Sequence, residues 1–289
     1  MGSEEPSAAI DFFAGWCSGA VSVLVIQPLD TILTRLQAAP ALSGASTIGS
    51  STVSLHTRGL VSNSGISALW RGSSAMITAV PMQNALLMGG YGIGKSWNEK
   101  TSAQDQALLS NVFIGGCVGG LAQSFLMSPV ELIKVQQQVR LQSASSAGKE
   151  VLQGLVSPSR SWRGLNATIM RDGVPHGVWF ASYEWTKNKL AIQFEGTSGE
   201  KMTVPLLSGA VAATVAWGVG YPFDIIKTRI QASGHGSNKG IYATAAEIVA
   251  ESNGRFSALY RGFGLKLVRS IPASMIGFTV YELVADQLK

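Results

Sequence analysis

This sequence has few charged residues. Only 13% of its 289 residues are Asp, Glu, Lys or Arg, against 46% hydrophobic residues, whereas an average soluble domain carries about 25% charged residues. The deficit argues against an ordinary soluble enzyme, and the hydrophobic content excludes intrinsic disorder. The net charge is +5, but no stripe of Lys and Arg interleaves with aromatic residues, so no nucleic-acid partner is predicted.

Groups that ligate metals or drive catalysis are also scarce. Two cysteines, Cys17 and Cys117, cannot form a disulfide framework or a four-ligand metal site. The three histidines, His56, His176 and His235, are far apart and match no metal-binding spacing. We therefore expect no metal, no cofactor and no enzymatic activity. The first ten residues do not follow the order of a cleavable signal, so none is expected.

Uncharged stretches are, by contrast, long. A membrane-spanning helix needs about 20 mostly apolar residues, and four runs without charge approach or exceed that length: residues 12–29, 72–94, 106–130 and 202–223. Two shorter runs, 173–183 and 270–281, follow charged residues and on hydropathy alone look like buried core helices. The runs contain many Ser, Gly, Thr and Gln residues, which is typical of helices that line a watery cavity.

A signature of the form Pro-x-acid-x-x-base-x-x-x-Gln, with one departure, occurs three times, at 28–37, 129–138 and 222–231. A second signature follows each copy: Trp70-Arg71-Gly72, Trp162-Arg163-Gly164 and Tyr260-Arg261-Gly262. A third comprises Pro81, Pro175 and Pro272, followed by Tyr91, Tyr183 and Tyr281. Three signatures in the same order indicate three tandem repeats, 8–100, 104–192 and 200–289, of two long helices each. The repeats therefore predict that the two shorter uncharged runs, 173–183 and 270–281, are also membrane helices, which gives six spans.

The first signature places an acid and a base on one face of a helix, since they are three residues apart. In a single helix this is a local ion pair near a proline that removes one backbone hydrogen bond. Three copies around a pseudo-threefold axis allow each acid to reach the base of the neighbouring repeat. Such pairing suits the membrane, where isolated charges are costly.

Together these signatures resemble the mitochondrial carrier family, over roughly Asp11 to Gln287. The resemblance implies an all-α membrane protein, a single carrier domain over 1–289. Its six transmembrane helices form three tandem repeats with pseudo-threefold symmetry and three short matrix helices, expected at 50–62, 146–157 and 240–252. It also implies a monomer in the mitochondrial inner membrane that binds cardiolipin, although peroxisomal or plastid membranes stay open.

In such carriers the acid of one repeat pairs with the base of the next to close the matrix side. The resemblance predicts the pairs Asp30–Lys134 and Glu131–Lys227. It also predicts that the ring is braced by three glutamines, Gln37, Gln138 and Gln231.

One matrix bridge is missing, because Asp224 should pair with a base of repeat one where Leu33 stands. The cytoplasmic gate, read from the aromatic-acid-x-x-base pattern, is also incomplete. Its predicted members are Lys95, Glu184, Lys187 and Glu282. Only Glu282 and Lys95 remain as a pair between repeats. Two weak gates predict easy return of the empty carrier and therefore uniport alongside exchange.

Charged residues in the middle of the even-numbered helices are the candidates for substrate binding. Arg171 and Asp172 precede Pro175, and Arg269 precedes Pro272; the resemblance identifies them with the second and third substrate contact points. Arginine holds a carboxylate in a fork of donors, and Asp172 supplies an anion for an amino or quaternary ammonium group. A zwitterionic substrate fits best, and an Arg-Asp pair resembles the amino-acid and carnitine subgroup.

The first contact point falls near Thr78 and Ala79, neither of which is charged. Carriers of basic amino acids in this subgroup have an acid there, so a carnitine- or acylcarnitine-like substrate is favoured. A basic or neutral amino-acid carrier is the alternative. A membrane structural or adaptor protein that keeps the fold without transport is the second alternative.

Overall fold

The structure is a computed structural model that describes residues 8–39, 58–101, 107–141, 143–154, 162, 164–194, 200–233 and 240–287. In these ranges the chain is helical and has no strand, so the predicted all-α architecture is confirmed. The helices are α1 (Ala8–Ala38), α2 (Ser73–Thr101), α3 (Ala107–Val139), α4 (Ala144–Gly154), α5 (Leu165–Phe194), α6 (Glu200–Ala232), α7 (Ile241–Glu251) and α8 (Phe263–Gln287).

The described helices repeat in the order long, short, long. The short helices α4 and α7 lie where the sequence predicts matrix helices, at 146–157 and 240–252. For the first predicted matrix helix, residues 58–64 are helical and residues 50–57 lie outside the described part of the chain. Short 3₁₀ turns, Ile66–Trp70 and Phe256–Tyr260, precede α2 and α8.

Hydropathy separates the long helices into two kinds. Within the described residues, three are long and apolar enough to cross a membrane: Phe13–Ala38, Leu109–Val139 and Thr203–Ala232. The partners α2, α5 and α8 contain 29, 30 and 25 residues and so have the length for a span, but they are more polar. The uncharged run 72–94 falls almost wholly within the helix α2, as predicted. Its hydropathy alone does not identify it as a membrane span. Polar spanning helices are those that face a protein interior or a cavity.

One face of α6 is apolar and exposed along its length. Leu207, Val211, Val215 and Val219 recur every fourth residue, which places them on one side of the helix. This row suits contact with lipid tails, whereas Ser208 and Ala212 beside it are fully buried.

The contacts divide the chain into two compact units. The first comprises Met1–Met82, Pro129–Arg163 and Thr228–Lys289, and the second comprises Gln83–Ser128 and Gly164–Lys227. The first contains α1, α4, α7 and α8 with the adjoining ends of α2, α3 and α6. The second contains α5 and the remaining parts of α2, α3 and α6.

Within the first unit, the proline of one signature and the tryptophan of the next meet at one backbone group. Pro28 lies inside α1 and has no N–H, so the carbonyl four residues earlier, that of Leu24, loses its helical partner. The indole N–H of Trp70 donates to this Leu24 oxygen at 2.8 Å. Thr31 Oγ1 and Gln27 Nε2 donate to the carbonyls of Leu69 and Arg71, which holds the 3₁₀ turn against α1.

Three arginines in the same unit bind the ends of long helices. Arg229 donates to the carbonyl of Ala39 after α1, Arg71 to that of Leu141 after α3, and Arg140 to those of Ala232 and Ser233 at the end of α6. The last carbonyls of a helix have no helical partner and carry partial negative charge, so a guanidinium there is stabilising. Arg229 also holds Glu251 on α7, with nitrogen–oxygen distances of 2.9–3.1 Å.

We predict that Trp70→Phe lowers the free energy of unfolding by about 0.5–1.5 kcal/mol, because it removes the donor that the Leu24 carbonyl has in place of a helical N–H. The thermal unfolding temperature of the purified protein measures the loss. Trp185→Phe is the matched control, since Trp185 is an exposed indole on α5. Equal effects of the two substitutions would show that the indole hydrogen bond contributes nothing.

Candidate substrate site and gates

Asp30 on α1, an acid of the first signature, contacts two cations. Lys134 Nζ lies 2.6 Å from Asp30 Oδ2, so the pair that the signature predicts is present as a contact. Arg269 Nη1 lies 2.5 Å from the other oxygen, Asp30 Oδ1. The three side chains are largely buried, with 13–21% of their surface exposed. Each carboxylate oxygen thus holds its own cation.

The other predicted matrix-gate acids and bases lie in the long helices α3 and α6, and their role in a gate stays a prediction. Asp224 and Lys227 on α6 are buried, and Glu131 on α3 is half-buried. Glu131 belongs to the first unit and Lys227 to the second, and their pairing stays a prediction.

The three bracing glutamines, Gln37, Gln138 and Gln231, are buried. Gln138 Nε2 donates to Thr31 Oγ1 at 3.0 Å, directly beside Asp30, and Thr228 Oγ1 donates to Gln37 Oε1 at 3.1 Å. Each of these two bonds joins a pair of repeats, and the bracing role of the glutamines stays a prediction. The hydroxyl partners were not predicted from the sequence, because nothing in the signature marks a threonine at those positions.

A cavity of about 270 Å³ lies within the second unit. It is lined by Leu87, Met88, Arg171, Asp172, Pro175, His176, Trp179, Phe180, Ala216 and Trp217. Its volume falls just below the range of about 300–1,000 Å³ typical of drug-sized ligands. The lining combines aromatic faces with one pair of opposite charges, which suits a small charged molecule rather than a nucleotide.

Arg171 and Asp172 form the charged part of this cavity. Arg171 Nε donates to Asp172 Oδ1 at 2.6 Å and Nη2 donates to Oδ2 at 2.8 Å, so the two groups meet in a two-bond fork. Arg171 Nη1 lies 3.5 Å from Asp224 Oδ1. The sequence brings Arg171 and Asp172 together as neighbours, but it does not predict the contact with Asp224.

Histidine and glycine residues position Asp172. The Asp172 carbonyl accepts a hydrogen bond from His176 Nδ1 at 2.6 Å, and Gln123 Nε2 lies 3.0 Å from His176 Nε2. A carbonyl only accepts, so the contact with Asp172 places a proton on His176 Nδ1. Gly120 allows α3 to approach, because a Cβ there would lie 2.1 Å from the Asp172 oxygen. The role of His176 was not foreseen, since a lone histidine gives no such signal.

Aromatic rings connect the cavity to the tyrosines of the third signature. Trp179 stacks on Tyr183 with ring centroids 5.5 Å apart, and Phe180 stacks on Tyr91 at 4.5 Å. Trp179 and Phe180 also meet edge to face. The rings therefore form one continuous cluster at the wall of the cavity.

The residues of the predicted cytoplasmic gate are only partly described. Glu184 and Lys95 are half-buried and Lys187 is exposed. Glu282 belongs to α8, but its side chain lies outside the described part of the structure. The Glu282–Lys95 pair stays a prediction.

The predicted first contact point shows no group directed to a ligand. Thr78 Oγ1 donates within its own helix to the carbonyls of Ser74 and Ala75, and Ala79 is buried. The residues of α2 that line the cavity of the second unit are Leu87 and Met88. Both are apolar, and no sequence pattern singles them out.

A helical membrane protein with three signatures per repeat and a small charged cavity is a solute carrier by architecture. The sequence model described as "Mitochondrial carrier protein" matches the chain three times, at residues 4–101, 105–193 and 198–289. The chain belongs to the mitochondrial carrier family, whose members are transporters.

Curated relatives match almost the whole chain. It is 30% identical to the "Mitochondrial arginine transporter BAC2" of Arabidopsis thaliana, over 94% of this chain and 89% of the relative. It is also 30% identical to the "Mitochondrial carnitine/acylcarnitine carrier protein" of Mus musculus, over 97% and 96%. "Solute carrier family 25 member 45" of Mus musculus is similar at 30%, over 94% and 96%.

We predict that Asp30→Asn destabilises the protein by about 3–5 kcal/mol, because Lys134 and Arg269 are then left facing each other without a carboxylate. Thermal unfolding of the purified protein measures this. The exposed Lys149→Gln on α4 serves as a charge-removing control and is expected to change little. An unchanged unfolding temperature for Asp30→Asn would contradict the central place of this acid.

Proposed function

We propose that this protein carries a zwitterion with one carboxylate and one cationic group, of the carnitine or acylcarnitine type, across the mitochondrial inner membrane by alternating access. It does so as a multi-pass protein of six spans and as a monomer. Membership of the carrier family and the similarity to carnitine/acylcarnitine carriers support this proposal. Cardiolipin is the lipid that we expect at its matrix ends.

The observation that carries the proposal is the fork between Arg171 and Asp172 at the wall of an aromatic cavity. A zwitterion presents the complementary pair of charges, so it can meet a guanidinium and a carboxylate without leaving either unmatched. A quaternary ammonium group is also attracted to the faces of Trp179 and Trp217, because aromatic faces are electron-rich. Arg269 stays a candidate for the third contact.

A basic amino acid is the second candidate substrate. The arginine transporter among the relatives favours it, and so does Asp224, a second carboxylate 3.5 Å from Arg171. Thr78 and Ala79 count against it, because they offer no acid to a second positive charge at the predicted first contact.

Uptake into proteoliposomes that contain the purified carrier tests the substrate. Carnitine, acylcarnitines, arginine, lysine, ornithine and neutral amino acids form the panel. We expect carnitine uptake, reduced at least tenfold in Asp172→Asn because the cationic group loses its counter-charge. Lys149→Gln is the matched control and should transport normally. Uptake of arginine and lysine without carnitine would overturn the carnitine proposal in favour of the basic amino-acid carrier.

A second prediction concerns the aromatic wall. Trp179→Leu should raise the KM for carnitine several-fold with a smaller effect on the maximal rate, because the ring contributes attraction to the cation of about 0.5–2 kcal/mol. Trp185→Leu lies six residues further along the same helix on an exposed face and should leave the KM unchanged. Equal changes in the two variants would exclude a cation site at Trp179.

A further inference from the structure

Both arginines of the predicted substrate contacts touch an acid of the Pro-x-acid signature. Arg171 Nη1 lies 3.5 Å from Asp224 Oδ1 in the second unit, and Arg269 Nη1 lies 2.5 Å from Asp30 Oδ1 in the first. Each arginine stands on the second long helix of a repeat, and its acid stands on the first long helix of the next repeat in cyclic order. Two separately described pairs therefore follow the same rule.

The geometry of Arg171 determines what a substrate carboxylate can bind. Nε and Nη2 already hold the two oxygens of Asp172, at 2.6 and 2.8 Å. This uses one edge of the planar guanidinium, and the remaining edge ends at Nη1, the nitrogen that faces Asp224. A carboxylate binds an arginine best through a pair of N–H groups along one edge. A substrate carboxylate and Asp224 thus compete for the same donors.

Burial and the repeat pattern explain why a cation beside Asp224 is stabilising. The repeat pattern assigns Asp224 a base from repeat one, but Leu33 occupies that position and is only 2% exposed. Leucine cannot balance a charge, and a buried carboxylate at membrane depth needs a cation nearby. Asp224 is 5% exposed, and Arg171 supplies such a cation.

We propose that Arg171 takes the place of the base that repeat one lacks: it holds Asp224 while the site is empty and releases it when a substrate carboxylate binds. Substrate binding then acts directly on one acid of the matrix gate. The role of Arg171 as a base rests on its contact with Asp224 and on the repeat pattern, whereas the release step rests on the proposed function.

A double-mutant cycle tests the first half of this inference. Arg171→Gln, Asp224→Asn and the double variant are compared by thermal unfolding of the purified, substrate-free protein. The double variant should lose several degrees less than the sum of the two single losses, because the second substitution removes a partner that is already gone. Asp224→Asn combined with Lys149→Gln is the control and should be additive. Additive losses for Arg171 and Asp224 would overturn the proposal.

The release step is tested with two ligands that differ by the carboxylate. Carnitine and choline both carry a trimethylammonium group, but only carnitine has a carboxylate. Saturating carnitine should abolish the coupling between Arg171 and Asp224, and choline should leave it intact. Coupling that survives carnitine in a preparation that takes up carnitine would overturn the release step. Absence of carnitine uptake would instead contradict the proposed substrate, and the release step is then read with the zwitterion of the panel that is taken up.

Discussion

A carboxylate buried among apolar helices must keep a cation within hydrogen-bond reach, and much of this structure follows from that requirement. Asp30 satisfies it twice, through Lys134 and Arg269, and these three side chains come from three different repeats. The two contacts of Asp30 therefore hold three helices, α1, α3 and α8, together. The same requirement places Arg171 against two acids, Asp172 and Asp224.

The prolines impose a second constraint, this time on the backbone. A proline inside a membrane helix leaves a carbonyl without its donor, and lipid offers no replacement. In repeat one the indole of Trp70 fills that place at Leu24. Two signatures that are more than forty residues apart therefore act at one backbone group. The proline of the first leaves a carbonyl without a helical donor, and the tryptophan of the second donates to it.

Much of the fold was predictable because the same signatures occur three times in the sequence. Repetition identified the helical order and the Asp30–Lys134 contact, and it placed α4 and α7 to within a few residues. It failed where the repeats differ from one another. Asp224 was predicted to have lost its bridge because Leu33 is apolar, and nothing in a linear pattern indicates that Arg171 lies near it instead.

The site was only half predictable for a related reason. Arg171 and Asp172 stand out because charge is rare in the chain, whereas His176, Leu87 and Met88 carry no such contrast. Their positions depend on how closely α3 approaches α2 and α5. That approach is set by glycines such as Gly120 and Gly119, whose tolerance of neighbours is visible only in three dimensions.

Three arginines bind the ends of long helices through main-chain oxygens of another repeat: Arg71, Arg140 and Arg229. Every residue offers the same carbonyl, so these contacts recognise where a helix stops and not which amino acid stands there. A substitution in the residues that follow α1, α3 or α6 therefore keeps the acceptor oxygen, whereas loss of an arginine removes the contact. The register of the three repeats is in this way held by groups that do not depend on the side chains at the helix ends.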